Sequence, residues 1–72
     1  MEERVVMNEC IEEMKTIVYR FSRGKYTIAE AESAIDNAIT MYTQTINGFD
    51  QKLVAIRKLK RKKYRMLLEA TR

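Results

Sequence analysis

The sequence contains no histidine, no proline and no tryptophan, and it has one cysteine and two glycines among its 72 residues. Without histidine, and with Cys10 as the lone thiol, the chain lacks the ligand set of a structural zinc site and the usual base that activates a catalytic thiolate. A lone cysteine also excludes an internal disulfide and is typical of a reducing compartment. We therefore expect a non-enzymatic cytoplasmic protein that holds no metal and no cofactor.

Long apolar runs are also lacking, since no stretch approaches the roughly 18 residues that a membrane span requires. The acidic start at Glu2 and Glu3 differs from the basic start of a signal peptide. We therefore expect no membrane association. A chain of this length forms one domain at most, so residues 1–72 should be a single helical domain with a modest core.

The apolar residues recur at helical spacing, which predicts three amphipathic helices at about 2–22, 28–47 and 51–71. In the first, the stripe includes Met7, Cys10, Met14, Ile17 and Phe21, with Cys10 as a core residue. The second stripe comprises Ile28, Ala31, Ile35, Ala38, Ile39, Tyr42 and Ile46.

Local signals predict where these helices begin and end. Gly24 suits the left-handed position that follows a helix C-terminus. Thr27 and Glu30 match a capping box, which predicts that the second helix starts at Ile28. Gly48 should end that helix, and Asp50 should cap the third.

Residues 47–50 nevertheless leave two folds open. With a break at Gly48, three helices of similar length predict an all-α protein, a small three-helix bundle. Without it, the apolar spacing continues through Gly48, and one long second helix would fold against the first as a helical hairpin. The hairpin would leave Leu53 and Ile56 uncovered, so it implies a coiled-coil-like dimer. The equal segment lengths favour the bundle.

The charge of the chain is divided between two unequal parts. Residues 1–50 carry five basic and nine acidic residues, whereas residues 51–72 carry nine basic residues and one acid, giving net charges of −4 and +8. Seven of the basic residues fall in one run, namely Arg57, Lys58, Lys60, Arg61, Lys62, Lys63 and Arg65. Such a density is typical of a surface that meets a polyanion or an acidic protein.

A projection at 100° per residue divides this run into two sets. Its apolar stripe comprises Leu53, Ile56, Leu59, Met66, Leu67 and Ala70. Five cations cluster on the opposite side and are candidate phosphate contacts: Arg57, Lys58, Arg61, Lys62 and Arg65. Tyr64 lies at the edge of this side, where its ring either stacks on a base or packs against the bundle.

Lys60 and Lys63 project into the apolar stripe, which is a costly place for a charge. Parallel first and third helices would bring Glu9, Glu12 and Glu13 to the level of these lysines, and Asp36 of the second helix would lie at a similar height. The two lysines should therefore either pair internally with an acid or belong to an arm that extends beyond the core.

Two functions follow from the basic run. The first is a small nucleic-acid-binding or regulatory protein that contacts the phosphate backbone of DNA or RNA through its C-terminal helix. The alternative is a protein–protein interaction module, such as an adaptor, inhibitor or assembly factor, that docks the same helix on an acidic partner. A solvated helix face without a partner is also open. The number of apolar seam residues for so short a chain predicts a homo-oligomer, most simply a dimer.

Overall fold

The computed structural model describes residues 2–72 and contains three helices, α1 (Glu3–Ser22), α2 (Ile28–Thr43) and α3 (Phe49–Ala70). Each helix packs against the other two, so the chain is a small all-α three-helix bundle, as predicted. The alternative hairpin with one long second helix is wrong, because the chain leaves the helical conformation between Thr43 and Phe49. Within residues 2–72, none of the helices combines the length and apolar character needed to cross a membrane.

The core of α1 follows its predicted stripe. Val6, Cys10, Met14 and Ile17 are buried, and they recur every three or four residues along one face. The Cys10 Sγ lies 3.9 Å from the Met14 Sδ. Burial, followed by the nearby charge of Glu13, raises the pKa of the Cys10 thiol to about 11. The predicted core role of Cys10 is confirmed.

The turn between α1 and α2 is also as predicted. Gly24 has a φ of +79°, in the region that favours glycine. The Glu30 backbone N–H donates to the Thr27 hydroxyl at 3.1 Å, and the Thr27 backbone N–H donates to the Glu30 carboxylate at 2.9 Å. These reciprocal bonds form the capping box, and α2 begins at Ile28.

The junction of α2 and α3 differs from its prediction. The second helix ends at Thr43 instead of residue 47, and Ile46 turns inward to pack with Val6 and Ala55 in a second apolar cluster. Gly48, with a φ of +94°, precedes the first turn of α3 rather than closing α2. Asp50 is not the cap but lies within that first turn, where its charge still favours the helix N-terminus.

The inward face of α3 is rotated from the predicted stripe. Its buried residues recur every four positions, as Ala55, Leu59, Lys63 and Leu67. Leu53 is 43% exposed, and Lys60, expected in the stripe, is exposed to solvent. Ile28, expected on the inner face of α2, is also 43% exposed. The rotation follows from packing α3 against two helices, which selects Lys63 rather than Lys60 for the interior.

Candidate nucleic-acid interface

The basic run lies in the middle of α3 and is divided by burial. Five of its seven cations are exposed, and we call them the basic face: Arg57, Lys58, Lys60, Arg61 and Arg65. Lys62 is half-buried beside Lys15 and Val18 of α1, and Lys63 is buried. The predicted outer set therefore exchanges Lys62 for Lys60.

The basic face is short and belongs to a helix that is packed in the bundle. At 1.5 Å per residue, Arg57 and Arg65 are separated by about 12 Å along the helix axis. That length matches about three or four phosphates of one strand in a duplex. Leu59 and Leu67, both buried on the opposite side of α3, fix the helix in the bundle. The cations are thus presented by a packed helix instead of a projecting arm.

No residue of the basic face forms an ion pair within residues 2–72, although Lys58 lines a depression together with Glu2 and Glu3. Within residues 2–72, two ion pairs form at 4.0 Å or less, and they join Lys15 to Glu12 and Lys63 to Asp36. Neither involves a residue of the basic face. Its five charges are therefore available to an external anion.

Within residues 2–72, Lys63 forms the only ion pair that joins two helices. Its Nζ donates to the Asp36 Oδ1 at 2.9 Å, from α3 to α2. The Lys63 side chain is 7% exposed, so its aliphatic stem lies in the core. The Asp36 side chain is 48% exposed, so its carboxylate reaches solvent. No buried side-chain nitrogen or oxygen within residues 2–72 lacks a hydrogen-bond partner.

The three acids expected to neutralise the run do not do so. Glu12 pairs along its own helix with Lys15 at 2.9 Å. Glu9 and Glu13 instead line a groove between α1 and α2, away from α3. Within residues 2–72, none of these three acids forms an ion pair with the basic run.

Tyr64 is exposed beside the basic face, with 66% of its surface accessible. The Lys63 Nζ lies over its ring, 4.8 Å from the ring centroid, at a distance typical of a cation–π contact. Of the two predicted roles, the ring does not pack into the bundle. The ring lies at the edge of the bundle, next to the Lys63 ammonium, and faces solvent.

The groove between α1 and α2 is the other notable surface. Its volume is about 610 Å³, with Ile17, Ala34 and Ala38 among its apolar lining and Glu9 and Glu13 among its acidic lining. Met41, also in the lining, is largely exposed. The small alanines keep the groove open because they leave space that a larger side chain would fill.

Asp36 is the residue whose part in this region the sequence indicated least clearly. It shares α2 with other exposed acids, and only its height relative to the basic run distinguished it. Its role follows from its pairing with Lys63, the one charged residue in the buried row of α3.

Comparison of the chain with protein-family models, curated proteins and solved structures finds no match.

Proposed function

We propose that this chain is a small non-enzymatic nucleic-acid-binding protein, of a regulatory type, that holds a phosphate backbone on the basic face of α3. The observation that carries the proposal is the set of five exposed cations within nine residues, none paired with an acid within residues 2–72. Unpaired cations attract a polyanion because binding releases its condensed counterions.

The residue types on the face favour backbone contact over sequence readout. Asn and Gln, the usual readers of adenine, are absent from Arg57 to Arg65. Arg57, Arg61 and Arg65 recur every four residues and so form one row along the helix. Their guanidinium groups suit bidentate phosphate contact, and this row is the main binding element in our proposal.

Charge reversal tests the proposal. Wild-type protein should retain fluorescent DNA or RNA oligonucleotides at low salt, measured by anisotropy. The triple variant R57E/R61E/R65E should show no binding of these oligonucleotides. The control R4E/R23E/K25E changes the net charge equally at exposed positions outside α3, and it should bind as wild type does. Absence of binding by wild-type protein, or equal loss in the two variants, would refute the proposal.

The second candidate function is a protein-interaction module, favoured by the groove between α1 and α2. With Glu9 and Glu13 against the single cation Arg20, the lining has a net negative charge that complements the basic face, so the partner we assign to this groove is α3 of another copy. Such a contact joins two different surfaces and leads to a head-to-tail homo-oligomer. It would also compete with nucleic acid for the same cations.

A charge swap distinguishes this candidate from the first. E9K/E13K should be monomeric in sedimentation velocity runs at low salt, and so should R61E/R65E. Mixing the two variants should restore growth of the oligomer, because each groove then meets a face of opposite charge on the other variant. Combining all four substitutions in one chain should restore it for the same reason. A monomeric wild-type protein at high micromolar concentration would refute self-association without bearing on nucleic-acid binding.

A further inference from the structure

Tyr64 is surrounded by the basic face. Lys60 and Arg61 lie one turn before it on the same side of α3, and Arg65 follows it directly. Tyr64 as a residue is 66% exposed, so it is open to a ligand from solvent.

Two contacts restrict where this ring lies. The Asp36 carboxylate accepts a hydrogen bond from the Lys63 Nζ at 2.9 Å, and the same Nζ lies over the Tyr64 ring at 4.8 Å from its centroid. Because the stem of Lys63 is buried, its ammonium has little freedom to move. Asp36 and Lys63 are therefore positioning residues that hold the ring in a defined orientation before any ligand arrives.

Tyr19 provides a comparison within the same chain. It is exposed to 62%, and the Arg23 guanidinium lies 5.9 Å from its ring centroid. It too has cations beside it, Arg20, Arg23 and Lys25, but its nearest cation is exposed and makes no ion pair within residues 2–72. Tyr19 thus has an exposure similar to that of Tyr64 but lies outside α3 and its basic face.

We infer that Tyr64 is a stacking platform for an unpaired base, so that the ligand of the basic face is single-stranded nucleic acid. In a duplex the base faces are already stacked and paired, and a tyrosine on a helix surface cannot reach them. In a single strand each base offers a free face, while its phosphates meet the neighbouring cations. The inference rests on the proposed function and specifies its ligand class.

The decisive experiment compares three ligands with equal numbers of phosphates per strand. These are an oligothymidine of about 15 nucleotides, the same length of abasic strand, and a duplex. Tyr64→Ala should weaken oligothymidine binding by about 5- to 150-fold, the range expected for one lost stacking contact. It should leave abasic and duplex binding unchanged. An oligouridine of the same length shows whether RNA is preferred to DNA.

Matched variants separate stacking from other effects. Tyr64→Phe keeps the ring and should bind oligothymidine as wild type does, and so should Tyr19→Ala. Lys63→Met should lower the ratio of oligothymidine to abasic affinity, because the ring loses its anchor. Lys60→Met removes an equal charge from the surface. It should therefore weaken the binding of both strands and preserve the ratio of oligothymidine to abasic affinity.

Two results would overturn the inference, and they are distinct from failure of the proposed function. If wild-type protein binds abasic and thymidine strands equally, or Tyr64→Ala retains full oligothymidine affinity, Tyr64 does not stack on bases. The proposed function would stand in both cases, provided that R57E/R61E/R65E still abolishes binding. No binding to any of the three ligands would refute the proposed function and the inference together.

Discussion

Lys63 of α3 and Asp36 of α2 form an ion pair with an Nζ–Oδ1 distance of 2.9 Å, and it joins the basic run to the centre of the bundle. The two residues contribute unequally, since the lysine is buried and the carboxylate is half-exposed. Burying an ammonium is costly, and this carboxylate offsets part of the cost. The pair therefore accommodates the rotation of α3 that turns Lys63 inward and leaves Lys60 outside.

This asymmetry predicts opposite effects of removing either partner. Asp36→Ala leaves a buried ammonium without its acceptor and should lower the free energy of unfolding by about 1–3 kcal/mol. Lys63→Met replaces the charge by an apolar side chain of similar length, leaves an exposed carboxylate, and should be neutral or stabilising. Urea denaturation followed by circular dichroism measures both. Equal destabilisation by the two variants would contradict the asymmetry.

The parts of the fold that the sequence predicted are those set by local interactions. The capping box of Thr27 and Glu30, the turn at Gly24 and the stripe of α1 each depend on residues within a few positions of one another. The end of α2 at Thr43, by contrast, does not depend on neighbouring residues alone. No breaker follows Thr43 directly, and the helix stops where Ile46 turns inward to contact Val6 and Ala55.

The candidate site was predicted in composition but not in rotation. Lys60 and Lys63 border the same apolar stripe, and periodicity alone does not choose between them. The choice depends on Asp36, 27 positions earlier in the chain, and on the packing of α3 against two helices. The same rotation half-buries Lys62 and exposes Lys60. The spacing of apolar residues within α3 does not predict long-range contacts of this kind.

The two glycines predict different costs for an added methyl group. Gly48 has a φ of +94°, and a Cβ there would meet the side-chain amide of Gln51. Gly48→Ala should cost about 1–3 kcal/mol from the backbone alone. Gly24, at +79°, has no atom within 4 Å of such a Cβ, so Gly24→Ala should cost about 1–2 kcal/mol.

The double variant G48A/Q51A separates the two contributions at Gly48. Removing the Gln51 amide relieves the contact but leaves the positive φ, so the double variant should recover only part of the stability. Thermal unfolding of both alanine variants and the double variant provides the comparison. A Gly48→Ala protein as stable as wild type would show that α3 can begin without a left-handed residue.

The capping box makes a small part of the stability dependent on pH. The Thr27 backbone N–H, and then the Thr27 side chain, hold the pKa of the Glu30 carboxyl below its usual value of 4.5. A lowered folded-state pKa means that the carboxylate stabilises the fold fully above pH 4.5 and loses this effect as the pH falls through the folded-state value. Acid should therefore remove the contribution.

Glu30→Gln tests this pH dependence. The variant should be less stable than wild type at neutral pH. The difference should narrow as the pH falls from 4.5 through the lower folded-state pKa, below which the carboxyl is neutral in the folded protein as well. Glu32→Gln removes a carboxylate from the same helix outside the capping box and is the control. A stability difference between Glu30→Gln and wild type that is constant with pH would contradict the role of the ionised carboxylate.

The basic face predicts a defined salt dependence of binding. For a single strand, each phosphate that a cation neutralises contributes about 0.7 to the slope of log affinity against log salt concentration. Arg57→Gln, Arg61→Gln and Arg65→Gln should each reduce the slope by about this amount. Lys63→Met should leave the slope unchanged, because the Lys63 charge is buried and already paired with Asp36. Anisotropy titrations at several salt concentrations measure the slopes, with Lys25→Gln as the exposed control outside α3. A slope that falls equally for Lys25→Gln and Arg61→Gln would mean that the protein binds through its net charge and that the basic face has no special part.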